Sequence, residues 1–158
     1  MSKPLVGIVM GSQSDSPIME EVSRILEEFG IKYEITISSA HRSPKKTRNY
    51  AKGAIKRGVE VIIAGAGGAA ALAGVIASET TLPVIGIPID SSPLKGLDAL
   101  YSTVQMPSGV PVATMAIGKA GAVNAGILAA QILALKYPEI RKRLNTFKMK
   151  LSQGAGKR

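Results

Sequence analysis

The chain has 158 residues, of which 46% are hydrophobic and 20% charged, so it fits one domain of about 100 to 200 residues with a buried core and is not a disordered chain. The absence of cysteine excludes disulfides and thiolate zinc sites, and a single histidine excludes any metal site that needs two imidazoles. The net charge of +9 falls almost entirely on residues 136–158, which hold eight basic residues and one acidic residue. The charge therefore does not by itself indicate a nucleic-acid-binding protein.

Strands and helices alternate along the chain. In chain order we predict a strand at residues 5–10, a helix at 17–29, a strand at 33–37, a helix at 44–57, a strand at 59–64, a helix at 69–78, a strand at 83–88, a helix at 94–104, a strand at 112–117, a helix at 120–135 and a last helix after Pro138. Ser16, followed by Pro17, is predicted to be the N-cap of the first helix. Because parallel neighbours need crossover connections, the alternation predicts a five-stranded parallel sheet with helices on both faces. The expected fold class is α/β, a three-layer αβα sandwich.

The C-terminal segment has the pattern of an amphipathic basic helix. Its apolar residues lie four, three and four residues apart, at Ile140, Leu144, Phe147 and Leu151. We divide the chain into an α/β catalytic domain at residues 1–135 and a helical tail at residues 136–158, which belongs to the same domain or docks on a neighbouring subunit. With no Trp and only 4% aromatic residues, the chain offers few platforms for stacking bases, so we expect no nucleic-acid partner.

No segment has the features of a targeting or membrane sequence. The apolar run at residues 5–10 is too short for a signal peptide, and it lacks a small-residue cleavage site. No apolar run reaches the roughly 18 to 20 residues of a membrane span without a glycine, proline or polar interruption. We therefore expect a soluble cytoplasmic protein with no membrane partner.

Parallel α/β sheets bind ligands at the carboxyl ends of their strands, and the first such loop is rich in serine. It extends from Gly11 to Asp15 and lies ahead of a helix N-terminus, where amide groups and the helix dipole favour an anion by about 0.3 to 1 kcal/mol. Ser12 and Ser14 are therefore candidates for binding a phosphate, and Asp15 is a candidate acceptor for ribose hydroxyls. The alternative is that these residues only cap the helix.

The loop after the second strand contains the one histidine of the chain, His41, next to Arg42. An imidazole can give and take a proton near neutral pH within one turnover, and a guanidinium can bind a phosphate through two hydrogen bonds. This neighbourhood makes His41 a candidate acid–base. An acyl-transfer triad with Ser12 or Ser39 is disfavoured because no Gly-x-Ser-x-Gly motif is present.

The loop after the third strand consists of glycine and alanine. Gly65-Ala-Gly-Gly-Ala-Ala70 formally matches the dinucleotide-binding pattern, but it follows the third strand rather than the first. The small residues would equally let backbone N–H groups approach a small planar ligand, or let a helix pack closely on the sheet. The motif alone does not decide between these three interpretations.

Four motifs occur in order over residues 6–135. They are Gly11-Ser-x-Ser-Asp15, Ser39-Ala-His-Arg-Ser-Pro44, Ala64-Gly-Ala-Gly-Gly-Ala-Ala70, and Gln105-Met-Pro-x-Gly-Val-Pro-Val112 leading into Ala116-Ile-Gly-x-Ala-Gly-Ala-x-Asn124. Together they resemble the N5-carboxyaminoimidazole ribonucleotide mutases of purine (IMP) biosynthesis, also called the catalytic subunit of phosphoribosylaminoimidazole carboxylase. The resemblance implies a flavodoxin-like fold, a homo-octamer, and a reaction step that uses no metal, biotin, ATP or other cofactor. It also implies a functional link to the ATP-dependent carboxylating enzyme that makes the substrate.

The resemblance also implies the roles of single residues. His41 would be the acid–base in moving a carboxyl group from the exocyclic nitrogen to C4, giving 4-carboxy-5-aminoimidazole ribonucleotide. The serine and arginine loops would hold the ribose phosphate, and residues 67–72 would lie over the base and the carboxylate. The implied substrate contacts are Gly11, Ser12, Ser14, Asp15, Ser39, Ala40, Arg42, Gly67, Gly68, Ala70, Ala71 and Leu72.

The glycine-rich loop departs from the family pattern. The microbial mutases usually have Ala-Ala-His-Leu-Pro-Gly where this chain has Ala69-Ala-Ala-Leu-Ala-Gly74, so Ala71 and Ala73 replace a histidine and a proline. The segment Ser39-Ala-His-Arg42 favours the mutase branch over the carboxylases that take free CO₂. A CO₂-dependent aminoimidazole ribonucleotide carboxylase, an NAD-binding oxidoreductase and an inactive nucleotide-binding homologue are the alternatives.

Overall fold

The computed structural model describes residues 3–154 and contains, over that range, five strands and six α-helices. The strands are β1 (Val6–Met10), β2 (Tyr33–Ile37), β3 (Val61–Gly67), β4 (Val84–Ile89) and β5 (Ala113–Thr114). The helices are α1 (Ser16–Glu28), α2 (Pro44–Arg57), α3 (Leu72–Ser78), α4 (Leu97–Val104), α5 (Lys119–Leu133) and α6 (Pro138–Ser152). The last four residues of the predicted C-terminal tail, 155–158, lie outside the described residues.

The strands form one parallel sheet in the order β2-β1-β3-β4-β5. Because β1 lies between β2 and β3, Val6 of β1 lies opposite both Tyr33 of β2 and Val61 of β3. This strand order is that of flavodoxin-like sheets, in which successive crossovers leave the first strand in opposite directions. The predicted fold class and the five-stranded parallel sheet are confirmed.

One face of the sheet is covered by α1, α5 and α6. Ile8 of β1 and Ile63 of β3 contribute to this cluster, together with α1 residues such as Leu26, and all three side chains are fully buried. From α6, Ile140 and Leu144 join the same cluster, so this helix packs on its own chain. The C-terminal helix thereby extends the hydrophobic core, and its basic residues lie outside that core.

The other face is covered by α2, α3 and α4, and a smaller cluster lies beneath α2 and α3. Val9, Ile62 and Ala64 point to this side, as the alternation of side chains along a strand requires. Ala51 of α2 and Ile76 of α3 pack against them. Small residues on both sides let the helices lie close to the sheet.

The glycine-rich segment differs most from the predicted boundaries. Strand β3 begins at Val61 and continues to Gly67, instead of spanning residues 59–64, because Gly65 and Gly67 pair with Ile87 and Ile89 of β4. Helix α3 begins at Leu72 instead of residue 69. The backbone of residues 68–71 is held in turns by bonds from Ala70 N to Gly68 O and from Ala71 N to Ala69 O.

Other boundaries were predicted wrongly for local reasons. Ser16 is not the N-cap of the first helix but its first residue, because a 3-10 turn (Gln13–Asp15), capped by Ser12, leads directly into α1. Helix α4 begins at Leu97 instead of residue 94, since Lys95 and Gly96 both adopt positive φ values that an α-helix does not allow. Strand β5 has two residues instead of the six predicted.

None of the helices within residues 3–154 combines the length and the apolar composition that crossing a bilayer requires.

Candidate functional site

A cavity of about 460 Å³ opens at the carboxyl ends of β1, β2, β3 and β4. Eleven of the predicted site residues line it: Gly11, Ser12, Ser14, Asp15, Ser39, Ala40, His41, Arg42, Gly67, Ala71 and Leu72. Gly68 and Ala70, the other two, do not line it, and Ala70 is buried. Their assignment as substrate contacts stays a prediction. Three loops that are far apart in the sequence therefore share one cavity.

The serine loop after β1 forms its own hydrogen-bond network. The backbone N–H of Ser12 donates to Oδ2 of Asp15 over 3.0 Å, and the Ser12 hydroxyl accepts from the backbone N–H of Ser14 over 3.4 Å. The Ser14 hydroxyl donates to the Ser12 hydroxyl over 3.0 Å. These contacts form a reciprocal capping box and fix the loop before any ligand binds.

Asp15 is a buried carboxylate in this loop, with 4% of its surface exposed. Burial raises the pKa of Asp15, while the hydrogen bond from the Ser12 backbone and the positive charge of Arg42 act in the opposite direction. A carboxylate with a single backbone hydrogen bond has further acceptor capacity directed at the cavity. Asp15 can therefore accept hydrogen bonds from ligand hydroxyls.

The loop after β2 places His41 and Arg42 at the edge of the cavity. At its base, the buried hydroxyls of Ser38 and Thr47 are hydrogen-bonded to each other over 2.7 Å, which anchors the loop to α2. The Ser39 hydroxyl accepts from the Arg42 backbone N–H over 3.1 Å. His41 is exposed and makes no hydrogen bond or ion pair within the described residues, so its imidazole is accessible to a ligand.

Arg42 connects the two polar loops. Its Nη2 donates to the carbonyl oxygen of Gly11 over 3.4 Å, and its charge lies close enough to Asp15 to affect that residue's pKa. This contact leaves most of the five N–H donors of the guanidinium unused. A phosphate between the two loops would meet a cation and several hydroxyls, the groups that usually bind phosphate.

The third wall is formed by the end of β3 and the turns before α3. Gly65 and Gly67 are residues of the strand, whereas a dinucleotide-binding fingerprint needs them in the turn that follows the strand. The match to that fingerprint is therefore coincidental. The wall itself is apolar, since it consists of Ala66, Gly67, Ala69, Ala71 and Leu72.

Two residues of the cavity, Ala66 and Ser91, were not predicted to contact the substrate, and Ala69 was covered only by the predicted loop at residues 67–72. The rule that ligands bind at the carboxyl ends of parallel strands points to the loop after β4, at residues 90–93, but no motif in that loop singles out Ser91. No group of three His, Asp or Glu side chains within residues 3–154 is arranged to hold a metal ion. The cavity offers one imidazole, one guanidinium, one carboxylate and several hydroxyls for chemistry.

Comparison with known proteins identifies close relatives. The family model described as AIR carboxylase matches residues 5–154. The N5-carboxyaminoimidazole ribonucleotide mutase of Pyrococcus horikoshii is 64% identical over 145 residues, covering 92% of this chain and 81% of that protein. The protein of the same name from Thermotoga maritima is 61% identical over 150 residues, covering 95% and 86%. The crystal structure of Treponema denticola PurE superimposes with a TM-score of 0.85 at 33% identity, covering 96% of this chain and 94% of that one.

Proposed function

The chain belongs to the AIR carboxylase family, and from this premise we propose that it is an isomerase of purine biosynthesis. It moves the carboxyl group of N5-carboxyaminoimidazole ribonucleotide from the exocyclic nitrogen to C4 of the ring. Relatives that are 53–64% identical over most of the chain carry the name of this mutase, which supports the assignment. The observation that carries the proposal is that the one histidine shares a cavity with an arginine, a serine loop and a wall of small apolar residues.

His41 would perform both proton transfers. As an imidazolium it donates a proton to the exocyclic nitrogen while the C–N bond breaks, which leaves the amine and CO₂. C4 then adds to the carbon of CO₂, and the neutral imidazole removes the C4 proton. One proton enters and one leaves, so a single acid–base completes the cycle and returns to its starting state. Ala71 places no second imidazole in the cavity.

The two polar loops would bind the ribose phosphate. Arg42 lies between them, with its side chain bonded to the Gly11 carbonyl and its backbone bonded to Ser39. A phosphate bound here would be paired with the guanidinium and with the hydroxyls of Ser12 and Ser14, and Asp15 would accept from the ribose. The binding energy of these remote groups fixes the ring relative to His41.

The apolar wall would retain CO₂ during transfer. Ala66, Ala69 and Ala71 line this part of the cavity without filling it, and Gly67 exposes its backbone there. Holding CO₂ beside C4 replaces a bimolecular encounter by an intramolecular step, which is worth several kcal/mol of the barrier, and at most about 7 to 11 kcal/mol.

The decisive experiment supplies freshly generated N5-carboxyaminoimidazole ribonucleotide to the purified protein and follows the C4-carboxylated product. The wild-type protein should form it without ATP or added metal. His41→Asn should lower kcat by about 10²- to 10⁴-fold and leave the affinity for aminoimidazole ribonucleotide nearly unchanged. Arg42→Ala serves as the comparison for His41→Asn. It should weaken the affinity for aminoimidazole ribonucleotide by about 10- to 100-fold, because hydrogen bonds to a charged phosphate are lost. A His41→Asn enzyme with a kcat near the wild-type value would refute the mechanism.

The same assay separates this activity from the CO₂-dependent carboxylase. Aminoimidazole ribonucleotide and isotope-labelled CO₂ are supplied together with unlabelled N5-carboxyaminoimidazole ribonucleotide. A mutase transfers the unlabelled carboxyl group, so label should enter the product only slowly. Rapid incorporation of label from the medium would favour the carboxylase instead.

We also propose that the protein works in the cytoplasm as a homo-octamer and receives its substrate from an ATP-dependent carboxylating enzyme. Support for assembly comes from an exposed apolar stripe along α4 and the turn before it, formed by Leu94, Leu97, Tyr101 and Val104. A stripe of this kind is typical of a surface buried between subunits. Sedimentation equilibrium should give eight times the chain mass of 16.4 kDa. A monomer mass would contradict the proposal.

A further inference from the structure

Ser91 lines the cavity from the segment that joins β4 to α4, outside all four sequence motifs. Its side chain is exposed at the cavity, and its hydroxyl makes no hydrogen bond to any residue that the structure describes. The adjacent Ser92 differs, because its hydroxyl donates to Oδ2 of Asp98 over 2.7 Å and accepts from the Leu94 backbone over 3.2 Å. Ser92 therefore stabilises the segment, whereas Ser91 has a donor available to a ligand.

The position of Ser91 is fixed by the sheet. Gly67 of β3 pairs with Ile89 of β4, and Ser91 follows two residues later. A methyl group at Gly67 would collide with the Ser91 hydroxyl and would lie 3.0 Å from the Ser91 Cβ, so the serine side chain lies directly against the glycine backbone. A larger residue at position 67 would push the Ser91 hydroxyl out of its present position.

Ser91 is the polar side chain on the apolar side of the cavity. The residues around it there are Ala66, Gly67, Ala69, Ala71 and Leu72, while the other polar side chains of the cavity lie on the loops after β1 and β2. CO₂ is neutral and fits an apolar wall, but the carboxylate groups before and after transfer are anions. A carboxylate that gives up water molecules to lie against this wall is stabilised by a hydrogen-bond donor there, since desolvating an unpaired charge is costly.

We propose that the Ser91 hydroxyl donates a hydrogen bond to the carboxyl group that migrates and thereby holds it beside Gly67 during the transfer. The inference rests on the proposed mutase function. The hydroxyl keeps its own proton: the C–N bond breaks, the C–C bond forms, and the proton of C4 goes to His41. Ser91 orients the group and slows the escape of CO₂ while it is free.

The test measures two quantities on the same enzyme: kcat and KM for product formation, and the fraction of substrate that leaves as aminoimidazole ribonucleotide and CO₂. Ser91→Ala should lower kcat by about tenfold, less than the 10²- to 10³-fold of a donor in an oxyanion hole, since CO₂ itself is neutral. KM should stay within about twofold of the wild-type value, and the escaping fraction should rise severalfold. Ser91→Thr keeps the hydroxyl, so its kcat and its escaping fraction should lie close to the wild-type values.

Ser92→Ala is the matched control, because it disturbs the same segment without removing a cavity donor. It should leave the escaping fraction at the wild-type value. An equal rise in Ser92→Ala would overturn the inference in favour of a structural role. It would also be overturned if Ser91→Ala raised KM with no change in the escaping fraction, since the hydroxyl would then bind the nucleotide. Lack of conversion by the wild-type protein would instead refute the mutase function itself.

Discussion

Asp15 is a residue at which removing the charge and removing the hydrogen bond should change stability in opposite directions. Its carboxylate is buried, and burial raises its pKa above the ordinary 3.8, even though the Ser12 backbone and Arg42 oppose the shift. Between 3.8 and the raised value, the folded protein binds more protons than the unfolded chain. The free energy of unfolding therefore falls as pH rises through this interval, and the loss persists at neutral pH.

Two variants separate the charge of Asp15 from its hydrogen bond. Asp15→Asn removes the charge and keeps an oxygen that accepts from the Ser12 backbone, a bond of 3.0 Å in the structure. Asp15→Ala removes both, and the loss of such a cap costs about 0.5 to 2 kcal/mol. At about 2 to 4 °C per kcal/mol for a chain of this size, Asp15→Asn should melt roughly 1 to 8 °C above Asp15→Ala.

The assay is thermal unfolding of both variants and the wild-type protein from pH 3 to pH 8. At pH 7, Asp15→Asn should be at least as stable as the wild-type protein, and the difference should vanish at a pH where the carboxyl group is protonated. Asp98→Asn is the control, and its effect on stability should be the opposite. A hydrogen bond from Ser92 lowers the pKa of Asp98, so the Asp98 carboxylate stabilises the fold at neutral pH and loses that effect in acid. Asp98→Asn should therefore be less stable than the wild-type protein at pH 7. If Asp15→Asn melted below Asp15→Ala at pH 7, the account of Asp15 would be wrong.

Two predictions concern packing. The Tyr50 hydroxyl is buried near the Glu34 carboxylate and the Arg57 guanidinium, but it makes no hydrogen bond of standard geometry to residues 3–154. Tyr50→Phe should therefore change the unfolding free energy by less than about 1 kcal/mol, and a larger loss in chemical denaturation would contradict this. Gly121→Ala places a methyl group against the backbone carbonyl of Ala116 and should cost about 1 to 3 kcal/mol. Its control, Gly53→Ala, meets only Nη1 of Arg57, at 2.8 Å, and should change stability by less than about 1 kcal/mol; equal stability of the two variants would contradict this reasoning.

The strands and helices with strong local signals were predicted almost to the residue. Strand β2 and helix α2 have their predicted bounds, because a β-branched run and a Ser-Pro start with a glycine stop are governed by neighbouring residues. The bounds of the glycine-alanine segment at residues 65–71 were not predicted correctly, since glycine and alanine favour neither strand nor turn by themselves. Pairing of Gly65 and Gly67 with β4 decides where β3 ends, and that pairing is a property of the whole sheet.

Residues of the site could be predicted where a polar motif directly follows a predicted strand. The loops after β1 and β2 carry their polar residues in short motifs, so Ser12, Asp15, His41 and Arg42 could be identified as candidates and do line the cavity. Ser91 carries no such motif. Its place beside Gly67 follows from the β3–β4 register, and its unused hydroxyl becomes visible only when the bonds of Ser92 are known.

The cavity forms where it does because the chain leaves the centre of the sheet in two directions. The Gly11 backbone N–H donates to the Gly65 carbonyl over 3.2 Å, a hydrogen bond that joins the end of β1 to β3. Beyond it, the chain from β1 turns into α1 on one face, and the chain from β3 turns into α3 on the other. Two loops that diverge from one point leave a crevice between them, as in other sheets of this strand order. The loops after β2 and β4 lie on either side of that crevice. A change of strand order would therefore separate His41 from the glycine wall even if every side chain were kept.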